Sequence, residues 1–456
     1  MSAAAARAPR GVVEQALEAA RRAGADAADA LLLLSDSIES RVRGSEIDFV
    51  KQARERTLGI RALVRGARGS RSAVTSTSDL SEDAVERMAR ETVALAKATA
   101  EDPIAGLPEN GFAGEAPDLA LFDPADRGVG IEAHIDQARV AEAAARALDP
   151  RIVNSEGTHV ASGFSEVVYG STHGFLSSYE SALHSLACEP IARENGSLQR
   201  DHWLSVSRRL CNLEDPASIG RRAAQRARRR LGGRRVATCE VPVIFDPVTA
   251  PSLLGQLVAC VNGYSVYRET SFLAGKLGEI VASPLLTVID DGRRVGGLGS
   301  RPFDGEGQPT RRNLVLERGR LASYLLDSYS ARKLGMKSTG SAVRGAGSAP
   351  SAGPSNLWIE PGKQTLEELI AGTPRGLLVT ELIGMGFNPV TGDYSRGAAG
   401  LWIEGGELAG PVEEITIAGN LGDMLRDVDA VGCDLVWLGR TASPSLRVAR
   451  MTLAGE

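Results

Sequence analysis

The chain has 456 residues, 43% hydrophobic and 24% charged, with a formal net charge of −5. That is ordinary globular composition, long enough for two or three domains and a sizeable core. The acidic balance excludes nucleic acid as the default partner, and the basic run at residues 221–235 is expected to be a solvated helix face.

Apolar residues at helical spacing over 10–23 predict a helix that Gly24 stops. Short β-leaning stretches follow at 30–35, 38–43, 58–64 and 70–75, separated by turns. A Ser/Asp cluster at 76–79 introduces a helix over 81–98, with Ser81 as the expected N-cap and Glu82 and Asp83 in the first turn. Helix, strands, helix is the order of an α+β layer with a mostly antiparallel sheet. Residues 101–127, rich in Pro, Gly and Asp, read as a linker. A helix at 130–148, a strand-rich region over 152–209 and a basic helix at 219–231 then repeat the same order, without a clear sequence repeat.

A new segment opens at Cys239. Residues 240–246 (EVPVIFD) read as a buried strand, and the apolar stretch after Pro247 as a helix through Val261. Strands are expected beyond it at 285–289, 312–317, 320–325, 356–359, 376–382, 400–404 and 407–409, the last two as a hairpin about Gly405-Gly406. The Gly/Ala/Ser/Pro-rich residues 343–355 suggest a mobile loop. The fold class is therefore α+β: an N-terminal helix-and-antiparallel-sheet region followed by a β-rich C-terminal domain. The expected domains are 1–100, 101–235 and 236–456.

Five cysteines (Cys188, Cys211, Cys239, Cys260 and Cys433), odd in number and without CxxC spacing, argue against a disulfide framework or zinc ribbon and suit a reducing cytoplasm. The opening MSAAAARAPRG has no apolar core of a signal peptide, and no stretch is apolar enough to span a bilayer. A soluble cytoplasmic chain with no membrane partner is the expectation. The histidines (His134, His159, His173, His184 and His202) form no HExxH pair, and each is expected to be structural or superficial, since a zinc site needs at least three protein ligands. There is no GxSxG elbow. Ser330-Ala331-Arg332-Lys333 fits SxxK and Lys337-Ser338-Thr339-Gly340 is close to KTG, but the two are too near in sequence to face each other across a cleft. No phosphate loop is present, and Asp290-Asp291 on one strand should point apart. The residues alone reveal no catalytic constellation.

Longer motifs stand in the C-terminal third: Val379-Thr380-Glu381-Leu382, then TGDYSRGAAG at 391–400, Trp402-Ile403-Glu404, and PVEEITIAGNL at 411–421. Upstream lie APDLALF at 116–122, SVYR at 265–268, PFDGEG at 302–307, SYSARKLG at 328–335 and KSTG at 337–340. In this order, from about residue 30 onward, they resemble the PmbA/TldE family, the non-metal side of TldD/TldE-type two-subunit peptidases. The resemblance implies a TldD-type metallopeptidase partner with an HExxxH helix and a distant cysteine ligand. It places zinc in that partner and no cofactor in this chain, and it implies peptide or unfolded-polypeptide substrates. Carried onto this sequence, the metal-helix positions fall on Gly255, Gln256 and Cys260. Glycine has no side chain, and a Gln amide is not basic enough for a general base. Cys433 is not equated with the partner's ligand, because its surroundings follow the TldE pattern. Arg268, Tyr394 and Arg396 become candidates for chamber or interface contacts. The implied role is a catalytically silent subunit that closes the partner's chamber and helps hold an extended peptide, for which edge strands are suited. Two rivals stay open: a stand-alone amide hydrolase with Cys260 as nucleophile, which would need a nearby base, and a regulatory binding protein acting on DNA gyrase or a toxin–antitoxin pair.

Overall fold

The computed structural model describes residues 8–109, 111–115 and 117–455. The first seven residues, on which the leader reading rests, and Ala116 of the APDLALF segment lie outside these. Helix α1 (Pro9–Arg22) begins with Pro9, whose fixed φ suits the first helical turn, and turns Val12, Val13, Ala16, Leu17 and Ala20 inward. Strands β1 (Ala27–Arg43) and β2 (Glu46–Arg65) form one long hairpin, and β3 (Ser70–Thr77) pairs with the end of β2 from Leu58 onward. Short strands were expected here. The charged stretch 46–57 is nevertheless strand, because its backbone pairs with β1 even though few of its side chains are buried. Among the described residues no strand covers its outer side, and charges on an open edge discourage pairing with other chains. In α2 (Glu82–Ala98), Ser81 holds the N-cap position but its hydroxyl caps nothing; Glu82 and Asp83 face the positive end of the helix dipole instead.

The second unit repeats the plan: α3 (Ile131–Leu148), β4 (Ile152–Ser171), β5 (Leu176–Glu194), β6 (Ser197–Arg200), β7 (Trp203–Ser207) and α4 (Pro216–Arg228). Strands β1 and β4 pair antiparallel from Asp29↔Ser171 to Val42↔Thr158, so both units share one seven-stranded sheet. The even-numbered side of β1 and β4 (Leu32, Val42, Val160, Val168) packs under the four helices, α1 and α2 over one half and α3 and α4 over the other. The opposite face, with Asp29, Leu31 and Tyr169, meets Phe303 and Arg344 of the C-terminal domain.

The C-terminal domain opens with β8 (Cys239–Phe245), which runs parallel to Arg375–Ile383 and antiparallel to Leu446–Ala454. Asp393–Glu404 and Glu407–Asn420 continue the sheet, turning at Gly405 and Gly406 as expected. Glu407–Asn420 also pairs back onto Leu446–Ala454, which closes a ring of five strands. A second sheet contains Val288–Asp291, Arg312–Glu317 and Leu357–Ile359. Helix α5 (Pro251–Val261) shares its core with both sheets through Leu253, Leu254 and Leu257.

The two domains dock through segment 343–355, which is packed at Ala346 and over 352–355 and wholly or partly exposed elsewhere. Ala342–Val343 and Ser351–Ala352 pair as strands, Ala346 is buried, and a Cβ added to Gly59 of β2 would stand 1.7 Å from the Ala346 carbonyl oxygen. The small residues there permit backbone-to-backbone approach. Beside them Arg344 Nη1 lies 2.8 Å from Asp29 Oδ1, Arg61 Nε lies 3.1 Å from Asp29 Oδ2, and the Tyr169 hydroxyl donates to the same carboxylate at 3.1 Å. Burial alone would raise the Asp29 carboxyl, but the Arg344 and Arg61 guanidiniums hold it below its ordinary value. The basic run also departs from expectation. Arg221 and Arg222 are exposed, whereas Arg226 is buried between Asp201 and Asp246, 3.2 Å from each, and Arg230 pairs with Glu381 of the C-terminal domain. These arginines tie the domains together instead of forming one solvated face.

Candidate functional site

The turn from β8 into α5 is organised by Asp246. Its Oδ1 accepts the backbone N–H groups of Val248 (3.0 Å) and Thr249 (2.9 Å), and its Oδ2 receives Arg226. The helix then starts at Pro251 and commits Leu253, Leu254, Leu257, Cys260 and Val261 to the core. Gly255 lies on the opposite, exposed side, with nothing within 4 Å of a Cβ built there. Gln256 is half-buried and its Oε1 has no hydrogen-bond partner. Cys260 is wholly buried, its thiol pushed up to about 12 by burial. Of these three residues one has no donor, one offers only a neutral amide, and one is a protonated thiol sealed in the core. They do not fit a zinc ion, which takes three or four charged or imidazole ligands on one centre. Among the described residues no group of three or more His, Cys, Asp or Glu could hold a metal ion. Cys433 is exposed.

In front of α5, where its first turn meets the ring strand Arg375–Ile383 and the edge of the N-terminal sheet, is an open cavity of about 360 Å³. Ser252, Thr380, Arg396 and Asp201 line it, and each has a buried polar atom without a hydrogen-bond partner among the described residues: Ser252 Oγ, Thr380 Oγ1, Arg396 Nε and Asp201 Oδ2. Thr380 owes its position to a β-bulge. Val379 pairs with Gly400 and Glu381 with Ala399, leaving Thr380 as the extra residue, 3% exposed. The lining carboxylates are matched: Glu381 by Arg230, Glu189 by Arg200 at 3.5 Å, and Asp201 by Arg226 at 3.2 Å. Arg396 has no acidic partner among the described residues. The sequence singled out none of Ser252, Thr380 and Asp201 as site residues, although Thr380 stands in the motif at 379–382, because their convergence depends on the bulge and on the docking of two domains.

The other candidates lie elsewhere. Arg268 is exposed; its Nη1 donates to the Tyr264 hydroxyl at 2.7 Å. Tyr264, with Tyr267 and Tyr329, lines a separate cavity of about 430 Å³ between the domains. Tyr394 is 2% exposed in the C-terminal core, so in this chain it packs rather than faces a chamber; its hydroxyl is unpartnered, and burial raises its pKa. The SxxK segment is a helix cap. Ser330 is the third residue of the short helix Ser328–Leu334 in a capping box with Asp327, while Lys333 Nζ lies 3.8 Å from Asp102. Asp290 is buried and pushed up to about 7 chiefly by that burial, and Asp291 is only half-buried, so the pair diverges as expected. His134 and His184 both contact Ser162 Oγ, at 3.1 and 2.8 Å, in a fully buried network where burial lowers both pKa values. Among the described residues no helix is long and apolar enough to cross a membrane.

The comparisons with known proteins agree along the whole chain. Models of the PmbA/TldA metallopeptidase match as domain 1 over residues 28–96, as central domain over 124–231 and as C-terminal domain over 238–455. The chain is similar to metalloprotease PmbA of Escherichia coli O157:H7, 38% identical over 454 residues, or 98% of this chain and 97% of that one. Among solved structures it is similar to TldE from Thermococcus kodakarensis, with a TM-score of 0.87 and 26% identity over 97% of this chain and 100% of that one. It is also similar to a Bacteroides thetaiotaomicron protein described as a candidate modulator of DNA gyrase, with a TM-score of 0.90 and 29% identity over 98% and 99% of the two chains. With all three domain models matched in order and a PmbA relative aligned end to end, this chain belongs to the PmbA/TldD family of metallopeptidases, on its PmbA/TldE side.

Proposed function

We propose that this chain is the metal-free subunit of a heteromeric peptidase, which works in the cytoplasm beside a zinc-bearing TldD-type partner on peptides or unfolded polypeptide. The observation that carries this reading is the donor set of α5. The family resemblance sets Gly255, Gln256 and Cys260 at the positions of the metal helix, and here the first has open space beside it and the last is buried in the core. A fold kept intact around such a helix suits a supporting role: closing the partner's chamber and offering it contacts, with Arg268 and Arg396 as the surface candidates. The stand-alone cysteine hydrolase loses ground, because a nucleophile must reach its substrate as thiolate and Cys260 is both sealed and protonated.

The test is metal content and peptide cleavage, measured on this chain alone and on a one-to-one mixture with a TldD-type subunit. Zinc and cleavage are expected only in the mixture, and both should vanish when the partner's metal ligands are replaced. Stoichiometric metal or cleavage in the isolated chain would overturn the proposal.

A further inference from the structure

The cavity in front of α5 contains more unsatisfied polarity than a structural cleft needs, since buried polar groups are normally paired. Its unpartnered atoms are of two kinds. Arg396 Nε is a cationic donor, and Ser252 Oγ and Thr380 Oγ1 are hydroxyls free to donate. Asp201 Oδ2 is an acceptor only. Around them Glu381, Glu189 and Asp201 each already have an arginine, so Arg396 is the lining arginine left without a carboxylate among the described residues. The first turn of α5, at Ser252, adds the positive end of a helix dipole. A ligand that satisfies this set has a carboxylate for Arg396 and the hydroxyls, and an N–H for Asp201. A peptide carboxylate, with the amide N–H of its own chain, has both.

We propose that this cavity is a carboxylate-binding site for peptides, with Arg396 as its anchor and Ser252 and Thr380 as hydroxyl donors. The proposal rests on the peptidase-subunit reading and adds a rule of recognition to it: the chain grips substrate or product by a negative group, either a free C-terminus or an acidic side chain. Charge-assisted hydrogen bonds of this kind are stronger than neutral ones, and a difference of about tenfold in affinity is expected between acid and neutral ligands.

Calorimetry on the full chain tests it with three acetylated alanine peptides: a free acid, its C-terminal amide, and an amide carrying one internal glutamate. The free acid or the glutamate peptide should bind about tenfold more tightly than the neutral amide, and whichever does so identifies the source of the carboxylate. Arg396→Gln should abolish that preference, Arg396→Lys should keep part of it, and Ser252→Ala should reduce it. If Arg396→Gln does not fold, Thr380→Val carries the same test. Equal affinity for all three peptides, no binding at all, or an unchanged preference in Arg396→Gln overturns the proposal. Because no partner or metal is present, this outcome is independent of cleavage by the mixture. An active mixture without acid preference would remove the carboxylate site alone, whereas acid preference with an inert mixture would remove the peptidase reading alone.

Discussion

Cys260 and Cys188 are buried and their thiols are pushed up to about 12, whereas Cys211 and Cys433 are exposed. Thiolate, not thiol, attacks alkylating agents. Brief treatment of the native chain with iodoacetamide should therefore modify Cys211 and Cys433 and spare Cys188 and Cys260, as read by peptide mass spectrometry. Labelling of Cys260 as fast as Cys433 would restore it as a candidate nucleophile. At this scale the sequence was informative about what a residue lacks. That Gly255 has no donor and Gln256 no charge is visible in the letters. Burial is not, so the sealing of Cys260 and the packing of Tyr394 appear only in three dimensions. Arg396 was reachable through family resemblance. Its companion Thr380 stands in another motif of that resemblance, but its convergence with Asp201 was not legible, since a one-residue bulge and a domain contact set their positions.

Two glycines make opposite predictions for the elements that carry them. Gly255 sits inside α5 with open space beside it, so Gly255→Ala should stabilise the chain by roughly 0.5–1 kcal/mol through helix propensity. Gly59 meets the Ala346 backbone, which has no flexible side chain to move away, so Gly59→Ala should cost about 1–3 kcal/mol. Denaturant midpoints measure both. For Gly59→Ala, faster amide exchange in 343–355 should accompany the loss, and unchanged exchange there would mean that this contact does not hold the hairpin. Helices were legible because their apolar spacing is periodic: α1, α2 and α3 lie within a residue or so of expectation. The long strands were read in fragments. Residues 46–57 have no apolar alternation and owe their strand conformation to the β1 ladder alone. At 343–355 composition did not reveal that small residues permit the close approach of Ala346 to Gly59.

At the scale of the whole molecule, the docking of the two domains is centred on Asp29, held by two guanidiniums of different domains. Asp29→Asn would leave Arg344 buried without its counter-charge and Arg61 with only Glu306, 3.8 Å away, at a cost on the order of 3 kcal/mol. The sign of the pH dependence follows from its lowered pKa. The Asp29 contribution is present above the unfolded carboxyl value near 4 and is lost as pH falls through the lower folded value. Unfolding curves of the two proteins should differ at neutral pH and converge progressively below about pH 4. A constant gap down to strongly acid pH would show that Asp29 does not act through its charge. The overall class, α+β with a β-rich C-terminal domain, was legible from the order of elements. The sharing of one sheet by both N-terminal units was not, because nothing in a strand's letters names its neighbour across a linker.

That shared sheet has a consequence for synthesis. Strand β1 finds β2 at once, but its other neighbour, β4, is complete only at Ser171. At ribosomal speeds the interval is on the order of ten seconds. Throughout it, the emerging N-terminal unit carries a long unpaired strand edge beside a finished hairpin, the kind of surface that recruits other chains. The nascent protein is therefore most vulnerable while α3 is being made, and a chaperone that shields strand edges would matter more in that interval than at any later stage.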